Sequence, residues 1–454
     1  MSTDGRTTDG RTGGNRTGGS GNGANGNSAN GRTGDGVRST GKRLAVDELI
    51  DDPKTRIIVC CGSGGVGKTT TAAAIGLRAA ERGRKVVVLT IDPARRLAQS
   101  MGLTELDNTP RVVKGVSPAA GAPLGGPDAG DGDAEGGGPA AGGELHAMML
   151  DMKRTFDEVV LAHADPERAR AIMENPFYQS LSAGFAGTQE YMAMEKLGQL
   201  RAAEEWDLIV VDTPPSRSAL DFLDAPNRLG SFLDGRVIRI LTAPAKVGGR
   251  SAMRFLNAGM GLLTGTLGKI FGAQLLSDVQ TFVSATDSMF GGFRERADRT
   301  YQLLKAPGTA FLVVAAPERD ALREAAYFVD RLAADRMPLA GLVLNRVHGS
   351  GAPQLTAERA LAAAEALEEN GSEHSSPEAE LLAAGLLRLH AERMQIMARE
   401  RRTRDRFVSV YPDVPIVEVA ALPGDVHDLD GLRVIGDRLS GGTARDDTAH
   451  GGTA

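Results

Sequence analysis

One run of eight residues carries the clearest chemical instruction in the chain. Gly62, Ser63, Gly64, Gly65, Val66, Gly67, Lys68 and Thr69 read G-x-x-x-x-G-K-[ST]. The run follows an apolar stretch at 56–61 (RIIVCC) and opens a helical pattern over 70–82, the context in which this spacing forms a phosphate-binding loop. Glycines let backbone N–H groups converge on phosphate oxygens without side chains in the way. The Lys68 ammonium suits the β- and γ-phosphates, in binding and in catalysis, and the Thr69 hydroxyl suits Mg²⁺. Thr70 continues the first helical turn, whose N-terminus adds partial positive charge. The expected ligands are ATP and Mg²⁺.

Two aspartates extend the constellation. Asp212 ends the apolar run DLIVVD and precedes Thr213-Pro214-Pro215. A carboxylate at the end of a buried strand is placed to hold Mg²⁺ through water. Asp92 follows the run at 85–91 (KVVVLTI) and precedes Pro93-Ala94-Arg95-Arg96. There it can orient or deprotonate an attacking water. It can equally be the N-cap of a helix opening at Pro93, and the spacing alone leaves both readings open.

The elements that must position these groups alternate. Short continuous apolar runs lie at 56–61, 85–91, 207–211, 311–315, 341–344 and 415–419, and helical patterns at 70–82, 321–334 and 381–402 fall between several of them. Strands buried on both faces of a parallel sheet read this way. The expected fold is α/β, a doubly wound, mostly parallel sheet with an inserted helical subdomain. That subdomain is expected at about 147–205 and 218–306. Its methionines, Met148, Met149, Met152, Met173, Met192 and Met194, suit either a core or an adaptable apolar groove. The uncharged segment 255–268 (FLNAGMGLLTGTLG) suits an exposed amphipathic helix or a covering flap.

Composition bounds the rest. Residues 1–45 and 437–454 read as disordered tails, and 118–143 as a low-complexity insert, within an ATPase domain over 46–436. The segment 2–43 carries seven Lys and Arg against three Asp, which allows a basic tether as well as a passive solubilising tail. Net charge is −6 and aromatics make up 4%, which argues against a general nucleic-acid binder. No uncharged apolar run is long enough to span a bilayer, and no secretory leader is evident, so the expected location is the cytoplasm. The two cysteines, Cys60 and Cys61, are neighbours on an expected strand, point to opposite faces and read as core.

The runs GSGGVGKTTTAAAIGLRAA, LTIDPARRL, IVVDTPPSRSALDFL and LVLNRV, in that order over roughly 52–436, together resemble the ArsA-type ATPases, which include the arsenite-pump ATPase and the targeting factor for tail-anchored membrane proteins. The chain looks most like an actinobacterial branch in which two different subunits act as a pair. The resemblance implies that Asp92 activates the water, that Asp212 senses Mg²⁺ and the γ-phosphate, and that Asn345 hydrogen-bonds adenine. It places Pro317-Glu318 and Leu422-Pro423-Gly424-Asp425 in loops near the base, and implies a dimer that closes over nucleotide and drives a shape change in the helical subdomain. Three departures stand out. Ser63 occupies the position where relatives carry a lysine that reaches the partner's nucleotide. A cation donated in trans is worth roughly 10³–10⁵ in rate. No Cys-x-x-Cys zinc clamp is present, and no cysteine cluster suits trivalent arsenic or an iron–sulfur centre.

These features suit a switch ATPase handling an apolar client or a membrane-protein partner, as a homodimer or, in better accord with Ser63, a heterodimer with a paralogous ATPase subunit. A weakly active regulatory subunit of such a pair and a partitioning-type ATPase are the alternatives. The tail at 441–454 (GGTARDDTAHGGTA) offers the last of these neither a basic surface nor an amphipathic helix.

Overall fold

The computed structural model describes residues 42–91, 96–117, 143–182, 188–214, 295–369 and 376–441. Within them lies one eight-stranded sheet of order β3-β4-β2-β5-β1-β6-β7-β8. The strands are β1 (Ile57–Gly62), β2 (Val86–Thr90), β3 (Arg111–Val112), β4 (Leu145–Met149), β5 (Leu208–Asp212), β6 (Thr309–Ala315), β7 (Leu339–Val347) and β8 (Ile416–Ala420). All neighbours are parallel except β3, which runs antiparallel to β4 at the edge. β1 sits between β5 and β6, where the winding changes direction. In open α/β sheets ligands bind at that switch point, beyond the carboxyl ends of the strands.

Burial explains the continuous apolar runs. Every residue of β1, β2, β5 and β6 is buried, because both faces of the sheet are covered. One face packs beneath α1 (Val46–Asp51), α2 (Lys68–Glu81), α3 (Arg96–Ser100) and α11 (Leu429–Leu439). The other packs beneath α4 (Met152–His163), α5 (Pro166–Met173), α6 (Pro176–Ser182), α7 (Thr188–Ala202) and α8 (Arg319–Ala334). Cys60 belongs to the first core and Cys61 to the second, as neighbours on one strand must. Of the six methionines singled out, Met148, Met192 and Met194 are buried in the second core, and Met149, Met152 and Met173 are half-buried.

A hairpin of α9 (Ala357–Glu369) and α10 (Pro377–Val410) stands between β7 and β8. Its seam is small: Ala360, Ala364, Ala384 and Ala391 are the buried residues of its close-packed stretch. At 34 residues, α10 is about 50 Å long.

Some elements differ from the expectation. β4 lies where a largely helical stretch is expected, and β3 and β4 are absent from the apolar runs. α10 begins four residues before and ends eight residues after the expected 381–402. α11 runs on to Leu439, past residue 436, and residues 42–44 lie alongside β8 through the Arg43–Ile416 bridge. The expected tails (apart from 42–45 and 437–441), the insert apart from Gly143, and 218–294 of the second helical stretch lie outside the described residues. Among the described residues no helix is long and apolar enough to cross a membrane.

Candidate functional site

The site is built where β1 turns into α2. After Gly62 the chain loops over Ser63 to Gly67 and enters α2 at Lys68. Two glycines make that path possible. Gly62 has φ 153° and a Cβ there would meet the Val314 carbonyl oxygen of β6 at 2.1 Å. Gly67, the residue capping α2, has φ 93°, in the left-handed region that side chains disfavour. The loop thus carries backbone N–H groups to the start of a 14-residue helix, the arrangement that attracts phosphate. Lys68 is buried, and its Nζ donates to the Ser63 carbonyl at 2.7 Å. That contact folds the side chain back over the loop. Thr70 follows on α2, half-buried.

Beneath the loop lies Asp212, the fully buried last residue of β5. Sheet register sets it level with Cys60 on one side and Thr90 on the other. Its Oδ2 accepts the Thr69 hydroxyl at 2.7 Å and the Thr90 hydroxyl at 3.0 Å. Hydroxyl and carboxylate oxygens are the hard donors Mg²⁺ prefers, so these residues fit that ion. Thr213 caps the strand end by donating its hydroxyl to the Cys60 carbonyl at 2.9 Å. Burial drives the Cys60 thiol well above its ordinary range, and the nearby Asp212 carboxylate adds to that rise. The Cys61 thiol is pushed up to about 12 by burial, so neither thiol is a nucleophile at neutral pH.

Asp92 lies outside the described residues, but its neighbour Ile91 is held from both sides. The Ile91 N–H donates to the Asp212 carbonyl at 2.9 Å, and its own carbonyl accepts from Gln189 Nε2 at 3.0 Å. Gln189 stands in the first turn of α7, so a helix of the second face touches the residue just before Asp92. Asn345 is buried in β7, and its Nδ2 donates to the Val66 carbonyl at 2.9 Å, which places it against the phosphate loop. Glu318 sits at the N-cap position of α8 after β6, and residues 422–425 lie in the connection between β8 and α11. Thr90 and Gln189 escape the sequence reading. The one signal for Thr90 is a hydroxyl inside the otherwise apolar KVVVLTI run, and Gln189 has none.

A phosphate loop at the switch point of a parallel sheet, with a buried aspartate beneath it, defines a P-loop NTPase. Comparison with known proteins places it further. The model of the anion-transporting ATPase family matches residues 55–117 and 140–360, and the chain belongs to that family. It is 26% identical over 188 residues to the ATPase GET3 of Malassezia globosa, covering 41% of this chain and 47% of that protein. It is 23% identical over 319 residues to the ATPase GET3 of Podospora anserina, covering 69% and 80%. With the ATPase ARSA2 of Chlamydomonas reinhardtii it shares 22% over 313 residues, covering 66% and 70%. The chain thus spans about half the length of the first of these relatives and more of the other two.

Proposed function

We propose that this protein binds Mg²⁺-ATP on the loop from Gly62 to Thr70 and hydrolyses it as a nucleotide-driven switch. The observation that carries the reading is the junction at Asp212, where Thr69 of α2 and Thr90 of β2 meet one carboxylate directly under the loop. Thr69 and Asp212 would hold Mg²⁺, which supplies neutralisation of charge on the β- and γ-phosphates. Lys68 exchanges its Ser63 contact for phosphate oxygens and stabilises the charge that develops as the bond to the γ-phosphorus breaks and ADP leaves. Asp92 orients the attacking water, and the fixing of Ile91 between Asp212 and Gln189 supports that role by anchoring the residue before it. Binding of ATP by the full chain, lost on Lys68→Ala, tests the site; a wild-type chain that binds no nucleotide sinks it. Hydrolysis that survives Asp92→Asn unchanged removes Asp92 from the mechanism.

The switch is read as a dimer that closes over nucleotide and works on an apolar client or membrane-protein partner from the cytoplasm. Family membership and the uncharged segment 255–268 support the client half. Ser63 favours a heterodimer with a paralogous subunit that donates the missing cation, since its own side chain carries no charge. Slow hydrolysis by the isolated chain, raised strongly by a co-purifying paralogue, is the expected result. Equal rates with and without that subunit would leave a homodimer as the better account.

A further inference from the structure

The resemblance assigns Asn345 to the base of the nucleotide, but its side chain is bonded to the loop that holds the phosphates. Asn345 Nδ2 donates to the Val66 carbonyl at 2.9 Å across 279 residues of chain. Its Oδ1 accepts the Arg346 N–H at 2.9 Å. The two bonds agree on which end of the amide is which, because a carbonyl needs a donor and an N–H needs an acceptor.

The backbone on both sides is shaped around this contact. The parallel register of β7 with β8 shifts between Asn345 and Val347, and Arg346 has φ 61°, a left-handed conformation uncommon for a residue with a side chain. Across the gap, a Cβ on Gly67 would lie 2.3 Å from Asn345 Nδ2, so the loop leaves room there for the amide alone. In a trans peptide the C=O and the following N–H point in opposite directions. Holding the Val66 carbonyl toward β7 therefore turns the Gly67 N–H away from β7, one residue before Lys68.

We propose that Asn345 is a positioning residue for the phosphate loop, setting the Val66–Gly67 peptide so that the loop is pre-formed for a triphosphate whatever base is attached. This rests on the reading of residues 62–70 as the phosphate site. An amide has two N–H hydrogens, so the tie to Val66 leaves one for a nucleotide base. The base role and the loop role are thus separable by ligand.

The test is equilibrium binding of Mg²⁺-ATP and of Mg²⁺-tripolyphosphate, which has no base, to the full chain and to its Asn345→Asp and Asn345→Ala variants. Aspartate keeps the size of the side chain and an acceptor for Arg346 but cannot donate to Val66; alanine removes the tie without adding charge. Both variants are expected to lose about tenfold in tripolyphosphate affinity and at least as much for ATP. Tripolyphosphate affinity within twofold of wild type, whatever happens to ATP, overturns the proposal in favour of a base contact only. Hydrogen exchange in the absence of ligand separates a local tie from general damage. Faster exchange confined to residues 62–68 supports the tie, and protection lost evenly over β1, β7 and β8 overturns it. A wild-type chain that binds neither ligand fails the phosphate-site reading itself, a result distinct from failure of the tie.

Discussion

α2 and α10 are both helices, yet they are held to the molecule in opposite ways. Ten of the 14 residues of α2 are buried, among them Lys68, against four of 34 in α10. α2 lies in the core with alanines at Ala72, Ala73, Ala74, Ala79 and Ala80, which let it approach the sheet closely. α10 pairs with α9 along an alanine seam, while Leu381, Leu382, Leu386 and Leu389 stay at least 60% exposed. The difference separates rigidity from reach. A helix that must present an ammonium and a hydroxyl within tenths of an ångström is buried around most of its circumference. A helix of about 50 Å can leave an apolar face exposed over its first half, while its second half is tied to the sheet through Glu400 to His348 and Arg404 to Glu418.

The sharpest way to break that comparison is at Lys68. Lys68→Ala is expected to lower ATP hydrolysis by about a hundredfold or more, read as phosphate release, with stability little changed. A comparable loss from a change on α9 or the first half of α10 would erase the distinction. Next, Ile58→Ala in β1, beneath α2, is expected to cost about 2–5 kcal/mol in denaturant unfolding, since Ile58 is fully buried.

A smaller effect sharpens the picture at α1. Asp47 receives a two-pronged contact from Arg78 of α2 at 2.6 and 2.8 Å, and this hydrogen bonding holds its carboxyl below the ordinary carboxylate range. Because the folded value is depressed, the pair stabilises the fold above the unfolded value near pH 4 and loses that effect as pH falls through the folded value. Asp47→Asn should cost about 1 kcal/mol at neutral pH, discounted for its partial exposure, and nothing at strongly acid pH. Melting curves of the two proteins that stay parallel down to acid pH would refute the pairing. The smallest effect is expected at Leu386→Ala on α10, within about 0.5 kcal/mol.

What was legible in the sequence follows the same division. Gly62 to Thr69 and Asp212 announce themselves because their chemistry needs fixed residue types at fixed spacing beside apolar strands. Thr90 does not, because its partner is chosen by the register of β2 on β5. Gln189 meets Ile91 only after α7 docks. β4 (LHAMM) has no β-branched residue, and its identity as a strand comes from pairing with β2. The role of Asn345 at the loop depends on a register shift and a left-handed Arg346 that no local pattern encodes.

The burial of Cys60 and Cys61 has a practical side. They are the only two cysteines in the chain, and both are sealed in the sheet with thiols that stay protonated. In the native state the protein is therefore a silent background for thiol-directed probes. A cysteine introduced on the exposed face of α10 and another beside the phosphate loop would be the two reactive positions. A pair of dyes attached there turns any opening or closing that accompanies nucleotide turnover into a distance that can be followed on single molecules.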